Sequence, residues 1–100
     1  MVIFDVLTDG SRRQILDLLR ERERSVNELV GALGMSQPAV SKHLRVLREA
    51  GLVKVRVDAQ RRWYGLDAKP LAEVDAWLSP YRRYWADRLD DLERHLDEQR

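Results

Sequence analysis

The chain has 100 residues, 44% of them apolar and 35% charged, enough for one globular domain with a modest core and too apolar for a disordered segment. Its 18 basic and 17 acidic residues nearly cancel, but unevenly. Residues 1–66 carry 12 Lys/Arg against 8 Asp/Glu, which is +4, and residues 67–100 carry 6 against 9, which is −3.

Val2, Ile3, Phe4, Val6 and Leu7 form an opening apolar cluster that is too apolar to lie in water. Asp9 is placed to cap a helix whose buried stripe is Ile15, Leu16, Leu18 and Leu19. The alternating run Arg20-Glu21-Arg22-Glu23-Arg24 should end that helix in solvent. Ser25 with Glu28 three residues later has the spacing of a capping box, and Leu29, Val30 and Leu33 give the next helix its apolar face. Gly34 suits the left-handed residue that closes such a helix. Ser36 then caps a third stripe, Val40, Leu44 and Leu47, with Pro38 in the first turn and Gly51 at the end.

Val53, Val55 and Val57 alternate with Lys54 and Arg56, the period of a half-buried strand. A turn at residues 58–61 returns the chain along Arg62-Trp63-Tyr64-Gly65-Leu66. Asp67 should cap a final helix over 67–98, with Pro70 in its first turn and Leu66 and Leu71 as a hydrophobic staple. Apolar or aromatic residues continue along it at Val74, Trp77, Leu78, Tyr81, Trp85, Leu89, Leu92 and Leu96. Pro80 should kink this helix or restart it at Ser79.

Two short helices joined by a glycine turn and followed by a basic hairpin make a winged helix-turn-helix. The expected fold is therefore mainly α with one small hairpin, order ααααββα, in a single domain spanning 1–100. Within it 25–50 form the helix-turn-helix, 52–66 the wing and 67–98 a dimerisation helix. The segment 35–66 alone holds seven basic residues against Glu49 and Asp58, or +5, which points to an anionic partner. Val40, Leu44 and Leu47 dock the second helix and leave Gln37, Ser41, Lys42 and Arg45 outward. Gln37 can pair with adenine and Ser41 with several base edges. Lys42, Arg45, Arg61 and Arg62 suit phosphates. The expected partner is double-stranded DNA.

These residues together resemble the ArsR/SmtB transcriptional repressors. The resemblance is carried by the segment from Leu7 to Leu16, by Ser25-Val26-Asn27-Glu28-Leu29 and by the run from Gly34 to Leu44. Leu47-Arg48-Glu49-Ala50-Gly51-Leu52-Val53 and Tyr64-Gly65-Leu66-Asp67 complete it. It covers roughly residues 4–67 and implies a winged-helix homodimer that binds an inverted repeat and represses transcription. It places the recognition positions at Ser36, Gln37, Ser41, Lys42 and His43, and it pairs the first and last helices across the dimer. The interface residues then expected are Val2, Ile3, Phe4, Trp77, Tyr81, Tyr84, Trp85, Leu89, Leu92 and Leu96. Metal-sensing members carry Cys-x-Cys in the brace helix. The matching segment here, Ser25 to Val30, has no thiol, and the last helix has only His95, so no metal or other cofactor is expected.

The lack of cysteine also excludes disulfides and cysteine nucleophiles. No phosphate loop or nucleophile–base pair is present, so an enzyme is not expected. No apolar run approaches the ~20 residues of a membrane span, and the N-terminus lacks signal-peptide features, so a cytoplasmic protein with no membrane partner is expected. Two alternatives use the aromatic last helix differently. One is a protein-interaction module, and the other is a regulator sensing a small molecule of unknown identity.

Overall fold

The computed structural model describes residues 2–98; the outermost positions of the expected 1–100 domain, Met1, Gln99 and Arg100, lie outside the described residues. The elements are α1 (Val2–Leu7), α2 (Gly10–Glu21), α3 (Val26–Leu33), α4 (Gln37–Glu49), β1 (Val53–Asp58), β2 (Arg61–Leu66) and α5 (Leu71–Glu98). This is the mainly helical winged helix-turn-helix order that the sequence implies.

Local chemistry sets most of the helix ends. The Asp9 carboxylate accepts hydrogen bonds from the backbone N–H groups of Ser11 (2.8 Å) and Arg12 (3.2 Å), two donors that a helix start leaves unpaired. Ser25 Oγ accepts from the Glu28 N–H at 3.2 Å, but the Glu28 side chain does not return to close a capping box. It meets Arg22 at 2.7 Å instead. Gly34 closes α3 at φ 65 and donates its N–H to Val30. Gly51 closes α4 at φ 79. There Leu52 N–H reaches Leu47 O (3.0 Å) and Gly51 N–H reaches Arg48 O (2.9 Å), the paired bonds of a Schellman motif. Both flanking leucines, Leu47 and Leu52, are fully buried.

One core joins α1 to the hairpin. It holds Ile3 and Val6, then Ile15, Leu16 and Leu19, then Leu29, then Val40, Leu44 and Leu47, with Leu52, Val53 and Tyr64 from the wing base. The strands pair antiparallel from Val53–Leu66 to Asp58–Arg61, leaving Ala59 and Gln60 as a two-residue turn. Ala59 sits at φ 56, a left-handed conformation that a Cβ disfavours. Burial falls along β1, from Val53 in the core to Val57 in solvent. The strand is thus half-buried only at its base, because nothing packs under the tip.

Three sequence expectations shift. Arg24 does not end in solvent. Its backbone pairs with Tyr64 through two hydrogen bonds (2.9 and 2.8 Å), adding an isolated antiparallel bridge on the other edge of β2. Its guanidinium donates to Leu18 O at 3.1 Å and to Glu21 at 2.8 Å. The last helix begins at Leu71 and not at Asp67. The Asp67 carboxylate accepts from the Lys69 N–H (3.1 Å) in a local turn, and the Asp67 N–H is held by Leu52 O at 2.8 Å, so Pro70 lies before the helix. Finally, α5 runs through Pro80 without a restart.

Candidate nucleic-acid interface

The N-terminus of α4 is built by Ser36, whose Oγ accepts from the Ala39 N–H at 3.3 Å, and by Pro38 in the first turn. Val40, Leu44 and Leu47 hold one face of the helix in the core. Each residue advances about 100° around a helix, so Lys42 and Arg45 point away from that face and Ser41 lies on its flank. All three are exposed, as are Ser36 and Gln37. The wing brings Arg61 and Arg62 to the same side. Ser25, Asn27 and Glu28 at the start of α3, Gln37 of α4, and Arg61 and Arg62 of β2 line one open groove. Seven of the eight DNA-facing residues expected from sequence therefore lie exposed on α4 or the adjoining wing.

His43 stands apart from them. It is half-buried, and its Nδ1 accepts a hydrogen bond from Arg12 Nε at 3.4 Å. Helical arithmetic explains this, since His43 lies about 60° from Val40, on the flank of the docking face. Arg12 in turn donates to Val6 O at 3.2 Å and lies 3.9 Å from Asp9. Arg13 donates to Leu7 O at 2.6 Å. These two arginines thus satisfy the last carbonyls of α1. The Asp9 carboxyl is held below its ordinary pKa chiefly by the Arg12 backbone N–H, against some desolvation and with help from the Ser11 N–H.

Within the basic middle, Arg56 has another use. Its guanidinium bonds to both Glu23 oxygens at 3.2–3.3 Å and lies 3.7 Å from Asp58. The Glu23 carboxylate raises its pKa further, and this exposed ion pair links the wing to the end of α2. Sequence reading missed both Glu23 and Arg24 as wing supports. The only signal for them was the alternating charge itself, because their partners lie 33 and 40 positions away.

The last helix, α5, buries no residue within the protomer. Trp77, Tyr81, Tyr84, Trp85, Leu89, Leu92 and Leu96 are each about half exposed or more. Trp77 packs edge-on against Phe4 at 5.3 Å between centroids and touches Tyr81 at 5.0 Å. Val2 is also exposed, at 73%. Ile3, expected at an interface with Val2 and Phe4, is instead buried in the protomer's own core, because Ile3 and Val6 share the inward face of α1.

The sequence of this domain matches known regulators. A family model described as bacterial regulatory protein, arsR family, matches residues 9–55. The HTH-type transcriptional regulator Rv2034 of Mycobacterium tuberculosis is 38% identical over 94 residues, covering 94% of this chain and 85% of that protein. The chain belongs to the ArsR family. Solved ArsR-like structures agree in fold. The crystal structure of a possible transcriptional regulator for arsenical resistance superposes with a TM-score of 0.68 at 41% identity, with 88% of each chain covered. The homodimeric winged helix-turn-helix DNA-binding domain of Mb0332 from Mycobacterium bovis, a solution structure, gives 0.66 at 32% identity, covering 82% of this chain and 76% of that one. As an ArsR-family member the chain is a transcriptional regulator and not an enzyme.

Metal sensing by thiolates has no donors here, since the chain lacks cysteine. Among the described residues no group of three or more His, Asp or Glu side chains is placed to hold a metal ion. No helix among the described residues is long and apolar enough to cross a membrane.

Proposed function

We propose that this ArsR-family chain is a cytoplasmic, homodimeric repressor that binds an inverted-repeat operator in double-stranded DNA without a metal. The observation that carries the reading is the division of the surface. A polar and basic face on α4 and the wing lies on one side, and an unburied aromatic and leucine stripe on α5 on another. The first suits a major groove and its flanking phosphates. The second suits a second copy.

In this reading Gln37 and Ser41 meet base edges, because they are short polar side chains near the helix start. Ser36, Lys42 and Arg45 bind the backbone, and Arg61 and Arg62 bind phosphates beside the wing. The dimer interface is formed by α5 through Trp77, Tyr81, Tyr84, Trp85, Leu89, Leu92 and Leu96, with Val2 and Phe4 of α1 beside Trp77. The two-fold axis then presents two α4 helices about one DNA turn apart, ~34 Å, to matching half-sites. Occupying a promoter in this way blocks its use.

Selecting sites from a random DNA library tests the reading. The expected product is an inverted repeat whose affinity falls steeply with salt. Ser41→Ala should weaken the selected site by about five- to a hundredfold and leave random DNA little changed, as loss of a base contact does. Arg62→Ala should weaken both and lower the salt slope by about one. Recovery of unrelated sequences with no repeat would sink the specific-repressor reading.

A further inference from the structure

The Arg12 side chain touches three parts of the molecule at once. Its Nη1 donates to the Val6 carbonyl at the end of α1 (3.2 Å), its Nη2 faces Asp9 at the cap of α2 (3.9 Å), and its Nε donates to His43 Nδ1 on α4 (3.4 Å). The arginine side chain is 21% exposed and that of Asp9 35%, so these contacts are partly sheltered from competing water. On its far side α1 is joined to α5 by the Phe4–Trp77 ring contact. A continuous set of contacts therefore runs from Trp77 through Phe4, the α1 backbone and Arg12 to the helix that carries Ser41 and Lys42.

We infer that Arg12 and His43 form a latch through which the α1/α5 end of the molecule sets the seating of α4. Both are then positioning residues for operator reading, and His43 is not a DNA contact. The inference rests on the DNA-binding reading above. Its chemistry is specific. Nδ1 accepts only when it carries no proton, so the neutral ring must hold its proton on Nε2. A guanidinium is suited to serve Val6, Asp9 and His43 together, because its donors are fixed in a fork and it stays charged. A packing role alone would need neither property, since an aliphatic side chain of similar bulk would fill the flank of α4 as well.

The arrangement makes a sharp distinction between two replacements. Asparagine places a carbonyl oxygen near where Nδ1 stands, and glutamine places its polar end near where Nε2 stands. A latch through Nδ1 is kept by His43→Asn and lost in His43→Gln. A DNA contact through the far nitrogen has the reverse pattern.

The test uses the full chain and an operator selected from a random library by the wild-type protein. His43→Leu and Arg12→Met should each weaken the selected operator about five- to tenfold, the equivalent of one typical hydrogen bond. The double variant should be little worse than either single one. Random DNA of the same length should bind within about twofold of wild type, with an unchanged salt slope. His43→Asn should restore the operator affinity to within about twofold, and His43→Gln should not. Restoration by Gln and not by Asn overturns the latch, as does a salt slope lowered by about one in His43→Leu, the mark of a lost phosphate contact. Unfolding of the same four proteins without DNA gives an independent arm. Non-additive losses at positions 12 and 43 support the latch and additive ones overturn it. If the library yields no preferred sequence, the repressor reading fails by itself and this second arm still decides the latch.

Discussion

Asp9 shows how much one side chain can settle and how pH enters. Its carboxylate holds two backbone donors of α2, and its pKa lies below the ordinary 3.8. A lowered folded pKa means the charged form stabilises the fold above the unfolded value. That contribution is lost as the pH falls below about 4 through the folded value. Asp9→Asn keeps an accepting cap and removes the titration. The expected result is a stability difference between the two proteins that is level from about pH 7 to pH 5 and then moves against Asp9 under acid. A difference that stays level to about pH 2 would contradict the assignment. At the wing tip, Ala59 holds φ 56, where a Cβ costs about 1 kcal/mol. Ala59→Gly should raise stability by about 0.5–1 kcal/mol, measured by denaturant unfolding. Caps at Asp9, Ser25 and Ser36 were legible because donor and acceptor are two or three residues apart. The seat of His43 was not, since its partner lies 31 positions away and the family resemblance pointed outward.

At the scale of elements, periodicity carried the reading well and boundaries less so. The stripe Val40, Leu44, Leu47 marked the docking face of α4, and all three are buried. The start of α5 was missed because Asp67 has the residue type of a cap but its carboxylate closes only a local turn on the Lys69 N–H, while its N–H makes a tertiary bond to Leu52 O that no local pattern shows. Within α5, the Arg82 guanidinium lies on both the carboxylate and the backbone carbonyl of Asp75, bridging the stretch that contains Pro80. The proline lacks the N–H that would reach the carbonyl of Ala76. Pro80→Ala should restore that bond, raise the thermal midpoint and add up to about 3 kcal/mol of helix stability. A lower midpoint would mean that the proline shapes a contact the helix needs.

At the scale of the molecule, the long axis is 64 Å against 27 and 22 Å for the others. A helix of 28 residues, about 42 Å at 1.5 Å per residue, accounts for much of that length. Leu89, Leu92 and Leu96 lie on its outer part with no core beneath them. With a second copy covering that stripe, as proposed, folding and association are one process, and the melting temperature should rise with protein concentration. Leu92→Glu should abolish that dependence, shift the protein to monomer in sedimentation and lower its midpoint. A concentration-independent midpoint in the wild type would remove the case for α5 as the interface. This unfilled stripe was visible in the sequence as apolar spacing that outruns so small a core. The second copy proposed to cover it was suggested by the family resemblance.

The rung between Arg24 and Tyr64 bears on motion. At its base the hairpin is effectively three-stranded, with Tyr64 hydrogen-bonded to Arg24 across a rung outside β1 and β2. Toward Ala59 it is a two-stranded ribbon with no layer beneath. Local opening should therefore be graded along the arm. In hydrogen exchange, the amides of Arg24 and Tyr64 should be among the slowest in the wing, and those near the turn should exchange almost freely. An arm with a stiff root and a pliant end can follow a groove whose width varies with sequence, while its root keeps the tip aligned with α4.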